Sequence, residues 1–227
     1  MNGVFFYSNT GESWRIAEYF ADKLGLAASE IFDYDGTHYE SIVLVFPVYC
    51  QNVPDVVGSF LGKVSVDALC LVATYGRMSY GNVLFEIQRK YNKRIIAAAY
   101  VPCKHSYIDG DIGFDDFHAL DVVIEKFGQT SEITVPRSYK NPLADILPAM
   151  RSRMGLKIRK SGNCDGCGIC DSVCRRGGIS RGKTNGRCIR CLRCVTSCPR
   201  NALTVRLCLP MRLYLRKTRK NDTVIYV

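Results

Sequence analysis

Eight of the chain's twelve cysteines lie between 164 and 198, and their spacing restricts the possible folds more than any other feature. The first run is Cys164, Cys167, Cys170 and Cys174; the second is Cys188, Cys191, Cys194 and Cys198, offset by 24 positions. Both read C-x2-C-x2-C-x3-C, and Pro199 follows the second. Three thiolates at steps of three residues can wrap one face of a cubic iron–sulfur cluster, whereas the fourth points away and ligates the other cluster. The spacing therefore predicts one 4Fe-4S cluster on Cys164, Cys167, Cys170 and Cys198, and a second on Cys188, Cys191, Cys194 and Cys174. Gly166 and Gly168 suit a backbone that passes close to an inorganic core and aims amides at its sulfurs. Zinc is the competing reading. It commonly uses paired C-x2-C motifs with four ligands per ion, and two complete runs with none of His38, His105 or His118 nearby fit it poorly.

Residues 163–207, including the C-P-R-N-A-L segment that starts at Cys198, resemble the bacterial two-cluster ferredoxins. The resemblance implies a small α+β ferredoxin-like iron–sulfur domain. Those proteins often carry proline after the fourth cysteine of both runs, whereas Arg175 follows Cys174 here.

A chain of 227 residues with 47% hydrophobic content has room for a larger domain before this one. Apolar runs at 3–8, 30–34, 41–47, 68–75 and 94–101 read as strands. Helical patterns fall at 13–24, 54–62, 81–92 and 114–128, the last with Phe117, Leu120, Ile124 and Phe127 on one face. This alternation predicts an α/β fold with a parallel sheet and ligands at the carboxyl ends of its strands. The link from Asp35 to Ser41 is far shorter than the dozen residues of an ordinary crossover. Extended, it reaches about 24 Å, against roughly 20 Å needed to return along one strand and step two sideways.

The loops after strands one, three and four are therefore the candidates for a site. In the first, Ser8, Asn9, Thr10 and Ser13 offer neutral donors, and Gly11 permits a tight turn at a helix start, the makings of a phosphate cradle. Serine and threonine there also serve as ordinary helix caps. The mononucleotide G-x4-G-K-[ST] and dinucleotide G-x-G-x-x-G patterns are both missing. The second loop is P-V-Y-C-Q-N-V-P at 47–54 and the third T-Y-G-R-M-S-Y-G-N at 74–82, each with tyrosine where a flat ring would lie.

Residues 1–130 resemble the flavodoxin family in the order of these three loops. That resemblance implies a doubly wound five-stranded parallel sheet in the order 2-1-3-4-5, with FMN at its end. On matching positions, Ser8, Asn9, Thr10, Gly11, Glu12 and Ser13 would hold phosphate, Glu12 through its amide. Pro47, Val48 and Tyr49 would flank the ring, and Thr74, Tyr75 and Gly76 would close its other side. Two departures stand out. The crossover helix between strands two and three is absent, and Asn52 would replace the glycine of the second loop as the residue that tolerates left-handed geometry.

Over nearly its whole length the chain resembles the EFR1-type ferredoxin family, flavodoxin-like domains fused to two-cluster ferredoxins in anaerobes. The order of parts and the P-V-Y-x4-P loop carry the likeness. It implies an electron-transfer iron–sulfur flavoprotein that relays single electrons between two 4Fe-4S clusters and FMN. The alternative is a flavin-dependent oxidoreductase that reduces a small acceptor or quinone. The expected division is a flavodoxin-like domain at 1–135, a linker at 136–162 with a short helix near 143–153, a ferredoxin domain at 163–207 and a basic tail at 208–227.

Charge divides with it: 1–135 hold ten Lys/Arg against seventeen Asp/Glu, and 136–227 hold twenty-one against four. A basic half suits an acidic redox partner protein, or the acidic half of the same chain. Nucleic acid is not expected, because no nucleic-acid fold accompanies the basic residues Arg212, Arg216, Lys217, Arg219 and Lys220. The start lacks a basic n-region, and no apolar run nears the roughly 20 residues of a membrane helix, so a cytoplasmic, soluble protein is expected. His105 and Asp109 follow strand five near the site and read as structural. Cys70 reads as strand core, Cys103 as strand-end packing, Cys50 as a small apolar residue beside the ring, and Cys208 has no assigned role.

Overall fold

The computed structural model describes residues 1–108, 110–146, 148–217 and 219–227. The elements run β1 (Asn2–Phe6), α1 (Glu12–Leu24), β2 (Ala28–Glu30), β3 (His38–Pro47), α2 (Asp55–Lys63), β4 (Ser65–Tyr75), α3 (Val83–Tyr91), β5 (Arg94–Pro102) and α4 (Asp121–Lys126). They continue with α5 (Pro148–Gly155), β6 (Leu156–Lys160), α6 (Ile169–Ser172), β7 (Ile179–Ser180), β8 (Lys183–Thr184), α7 (Arg193–Thr196), β9 (Leu203–Leu207), α8 (Leu209–Leu215) and β10 (Val224–Tyr226). Two compact units result: Met1–His105, Gly110–Ala144 and Arg219–Val227 form the first, and Ser106–Asp109 with Asp145–Thr218 the second.

The first unit is a six-stranded sheet in the order β10-β5-β4-β3-β1-β2, parallel except for β10. Its central strands are buried on both faces, which is why Ile42–Phe46 and Leu69–Ala73 are unbroken apolar runs rather than alternating ones. On one face Phe5, Leu44, Phe46 and Leu71 pack under Phe60 and Leu61 of α2 and Leu84 and Ile87 of α3. On the other, Val4, Val43, Val45 and Val72 pack under Ile16 and Phe20 of α1 and Leu120 and Val123 beside and within α4. Each fully buried large side chain, such as Phe20 or Phe46, contributes roughly 1.5–3 kcal/mol. Cys70 lies in this core, where burial pushes its thiol up to about 12.

The expected short crossover holds only a 3-10 turn, Ile31–Asp33, between β2 and β3, and β2 lies a few residues earlier than the 30–34 read from sequence. The helix expected over 114–128 is a 3-10 turn at Phe117–Leu120 followed by the short α4.

The second unit is built on the antiparallel pair β6–β9, with Leu156 opposite Leu207 and Ile158 opposite Val205. Leu156 and Ile158 point inward, while Lys157, Arg159 and Lys160 are exposed. With Ile179, Leu192 and Leu203 they enclose Cys188 and Cys194. Tyr107 joins this core and donates its hydroxyl to the Arg190 carbonyl at 2.9 Å.

Three expectations change. The sheet has six strands rather than five, because the C-terminal "tail" returns to it: Val224, Ile225 and Tyr226 pair with Tyr100, Ala99 and Ala98. The "linker" is structured; it contains α5 and β6 within the second unit, and Val135 and Ala144 before them are buried in the first. The second unit is thus inserted in the chain between Ala144 and Arg219 rather than appended. No described helix is long and apolar enough to cross a membrane.

Candidate functional site

In the second unit the two cysteine runs adopt one backbone shape twice. α6 and α7 occupy equivalent places 24 positions apart. Gly166, Gly168 and Gly177 have φ of 79°, 77° and 57°, and their counterparts Arg190, Leu192 and Asn201 have 62°, 65° and 47°. Left-handed geometry costs a non-glycine residue about 1–2 kcal/mol, so the second run holds with side chains what the first holds with glycine. The surroundings over-determine the shape: Leu192 is buried in the core and the Arg190 Nε donates to the Leu156 carbonyl at 3.0 Å. The amide of Gly178 donates to Cys174 Sγ at 3.1 Å, and at the matching position the Ala202 amide donates to Cys198 Sγ at 3.3 Å.

A pocket is lined by Cys164, Cys167 and Cys170 of the first run and by Cys198 of the second, with Gly166, Gly168 and Arg181 on its wall. Thiols of the two runs are electrostatically coupled to one another. Burial, and after it the charges of Cys191, Cys188, Cys174 and Cys170, push Cys194 up to about 12. Cys191 is raised by burial and then by Cys188 and Cys174, while the Arg193 amide opposes the rise. Cys170 is raised by burial and by its hydrogen bond to Asp171. Among the described residues, no group of three or more His, Cys, Asp or Glu side chains is placed to hold a single metal ion. A cube takes one thiolate at each of four corners and needs them further apart than one ion does.

In the first unit the three expected loops meet at the carboxyl ends of β1, β3 and β4. Ser13 Oγ and Thr74 Oγ1 share a buried hydrogen bond of 2.8 Å, joining loops one and three. The Val48 backbone amide donates to the Thr74 carbonyl at 2.7 Å, joining two and three, and the Asn9 side-chain Nδ2 donates to the Tyr49 hydroxyl, joining one and two. Gly11 caps α1 at φ 96° with no side-chain cap, and its amide donates to Ser8 Oγ at 3.2 Å. The polar residues of this loop are therefore not the helix's caps.

Glu12 opens α1 and is buried, with its carboxylate 3.5 Å from both Arg15 and Lys104. Its Oε2 has no hydrogen-bond partner. Tyr75 is buried in the core and donates its hydroxyl to the Asp222 carbonyl at 3.0 Å, so it offers backbone rather than ring to the loop. Tyr49 is partly buried, edge-on to Tyr7 at 6.3 Å. Left-handed geometry in the second loop falls on Cys50 (φ 50°) and Gln51 (φ 67°), not on Asn52; these two form the tight turn between Tyr49 and Asn52, which exchange backbone hydrogen bonds. Asn52 instead donates its side chain to the Ala144 carbonyl at 2.9 Å.

His105 packs on Gly76: a Cβ at Gly76 would stand 2.6 Å from its Cδ2. Burial is the main reason its pKa falls to about 4, with Asp111 opposing and Arg219 assisting the fall. Asp109 lies outside the described residues. Arg77 and Tyr80 lie in the third loop, the segment from Arg219 onward contacts it, and Asp111 pairs with Arg219; none of these reads as a site residue from sequence.

Set beside known proteins, residues 184–204 match the model of the 4Fe-4S binding domain, which places the second cysteine run in that class. No curated protein matches the chain. A solved structure from Bacteroides uniformis ATCC 8492, described as a "putative flavoprotein", aligns at 18% identity and a TM-score of 0.36, over 42% of this chain and 89% of its own.

Proposed function

We propose that the chain is an electron-transfer iron–sulfur flavoprotein that relays single electrons between two 4Fe-4S clusters in its second unit and an FMN held by its first. One observation carries the reading: Cys198 lines a pocket with the three cysteines of the other run, as crosswise ligation requires. The first cluster would take Cys164, Cys167, Cys170 and Cys198, and the second Cys188, Cys191, Cys194 and Cys174. The amides of Gly178 and Ala202 stabilise the thiolates of the two exchanged cysteines by hydrogen bonding to their charged form.

The three linked loops support the flavin. Ser8, Asn9, Thr10 and Gly11, with the amides of Glu12 and Ser13, would hold its phosphate; the Glu12 carboxylate is already engaged by Arg15 and Lys104. Pro47, Val48 and Tyr49 would flank the ring, with Thr74, Gly76 and the backbone of Tyr75 opposite. FMN exchanges one or two electrons and a cluster one, so together they interface pair and single-electron carriers. The second unit carries seventeen Lys/Arg against four Asp/Glu. Such a surface favours an acidic redox protein as partner, and its field favours the reduced clusters.

Purification without oxygen, with iron, sulfide and flavin determinations and a visible spectrum, tests this. The expected content is about eight irons per chain with one FMN, and reduction by an acidic protein carrier that slows as salt rises. A colourless or zinc-bearing protein would refute the reading, and steady turnover of a quinone or small acceptor would move it to a flavin-dependent oxidoreductase.

A further inference from the structure

We infer that the C-terminal segment, Arg219–Tyr226, belongs to the flavin site as its positioning element, holding the loop after β4 in place; this rests on the flavin reading above. The contacts converge on that loop. The Lys220 amide donates to the Arg77 carbonyl at 2.7 Å. Arg77 Nη1 donates to Asn221 Oδ1 at 3.2 Å, and the Tyr75 hydroxyl to the Asp222 carbonyl at 3.0 Å. The Lys220 ammonium stands 5.0 Å from the centre of the Tyr80 ring. Arg219 pairs with Asp111, whose carboxylate is 2% exposed and accepts the His105 amide at 2.6 Å. His105 in turn packs on Gly76.

From there β10 runs beside β5, with Val224 opposite Tyr100, and Tyr100 stacks on Tyr80 at 4.0 Å. Tyr75, Arg77 and Tyr80 thus touch the segment directly, and Gly76 is linked to it through His105 and Asp111. The loop itself is poorly suited to standing alone, because Arg77 sits at φ 57°, where a non-glycine residue is strained. Without the segment the loop's ordering would have to be supplied when the flavin binds, and affinity would fall by that amount. The segment acts through the loop and not on the ring, which makes its residues positioning rather than catalytic ones.

The test uses the full chain with its clusters in place. Lys220→Pro removes the amide that bonds Arg77, Asn221→Ala removes the acceptor of Arg77 Nη1, and a stop after Thr218 removes the whole segment. Flavin is stripped, FMN is titrated back by the quenching of its fluorescence, and the visible circular dichroism of the bound flavin is recorded. Far-UV circular dichroism and iron content check the fold. The expected result is a Kd raised about tenfold by Lys220→Pro and at least as much by the truncation. Asn221→Ala should give a smaller rise and an altered flavin dichroism, with iron unchanged in all three. Folded variants whose Kd stays within about twofold of the parent, with unaltered flavin dichroism, overturn the inference while leaving the flavin reading intact. Should the truncated and proline variants fail to fold, Asn221→Ala decides alone, since it deletes one exposed hydrogen bond. A parent chain that takes up no FMN overturns the flavin reading and the inference with it.

Discussion

Replacing Cys198 with Ala should abolish the cluster whose other ligands lie in the first cysteine run and spare the cluster of its own run. The full chain is expected to hold about eight irons. Cys198→Ala should retain about four, as should Cys164→Ala, and the double variant Cys164→Ala/Cys198→Ala should also retain about four, because both losses fall on one cube. Cys188→Ala/Cys198→Ala should retain almost none. Ligation within each run would reverse the last two outcomes. The substitution also removes the sulfur that accepts the Ala202 amide at 3.3 Å, a loss of about 1 kcal/mol. The Leu156, Ile158 and Leu203 core is untouched, and the roughly four irons retained on the other cluster report that the unit stays folded, so that the loss is one of ligation and not collapse. Iron and sulfide per chain, together with low-temperature electron paramagnetic resonance of the reduced protein, give the reading. A Cys188→Ala/Cys198→Ala protein that keeps four irons would refute the crosswise reasoning.

Asn201→Val should destabilise the second unit by about 1–2 kcal/mol in denaturant unfolding followed by cluster absorbance, because a β-branched residue must adopt φ 47° there. Gly76→Ala should cost roughly 1–3 kcal/mol by crowding His105 and weaken flavin uptake, measured by thermal unfolding and FMN titration. His105 is held at about 4, below its ordinary 6.5, so the unfolded chain binds more protons between these values. Its contribution is complete above about pH 6.5 and is lost as pH falls toward 4. The pH dependence of the first unit's thermal unfolding should accordingly flatten over that window in His105→Asn, and an unchanged slope would count against the burial argument.

The cysteine runs were the most legible part of the chain, because ligand spacing is a local property of the backbone and repeats at a fixed offset. The parallel sheet was legible for a similar reason: buried central strands must be continuous apolar runs, and β3 and β4 are. β6 carried a signal that was passed over, since Leu156 and Ile158 alternate with Lys157 and Arg159, but its bases made it look like linker.

Other features depended on distant partners. Tyr75 reads as a ring beside a flat ligand until its hydroxyl meets Asp222, and Glu12 reads as a misplaced charge until Arg15 and Lys104 stand beside it. Asn52 had the better intrinsic tolerance for left-handed geometry, yet Cys50 and Gln51 adopt it, because the bridge between Tyr49 and Asn52 dictates where the turn falls.

By itself the sequence showed two cysteine runs with the spacing of cluster ligands, the main parallel strands of the first unit and the loops that end together at one edge of its sheet. Those follow from spacing and periodicity, which act over a few residues. Only the tertiary structure decided that Val224–Tyr226 would pair with β5 across more than half the chain, and that Leu192 and Arg190 would bear a backbone shape their own preferences resist. A three-residue strand has too little local preference to declare itself, and a strained residue is held by its neighbours in space. Both outcomes are set by packing energy that exists only once the remote partner has arrived.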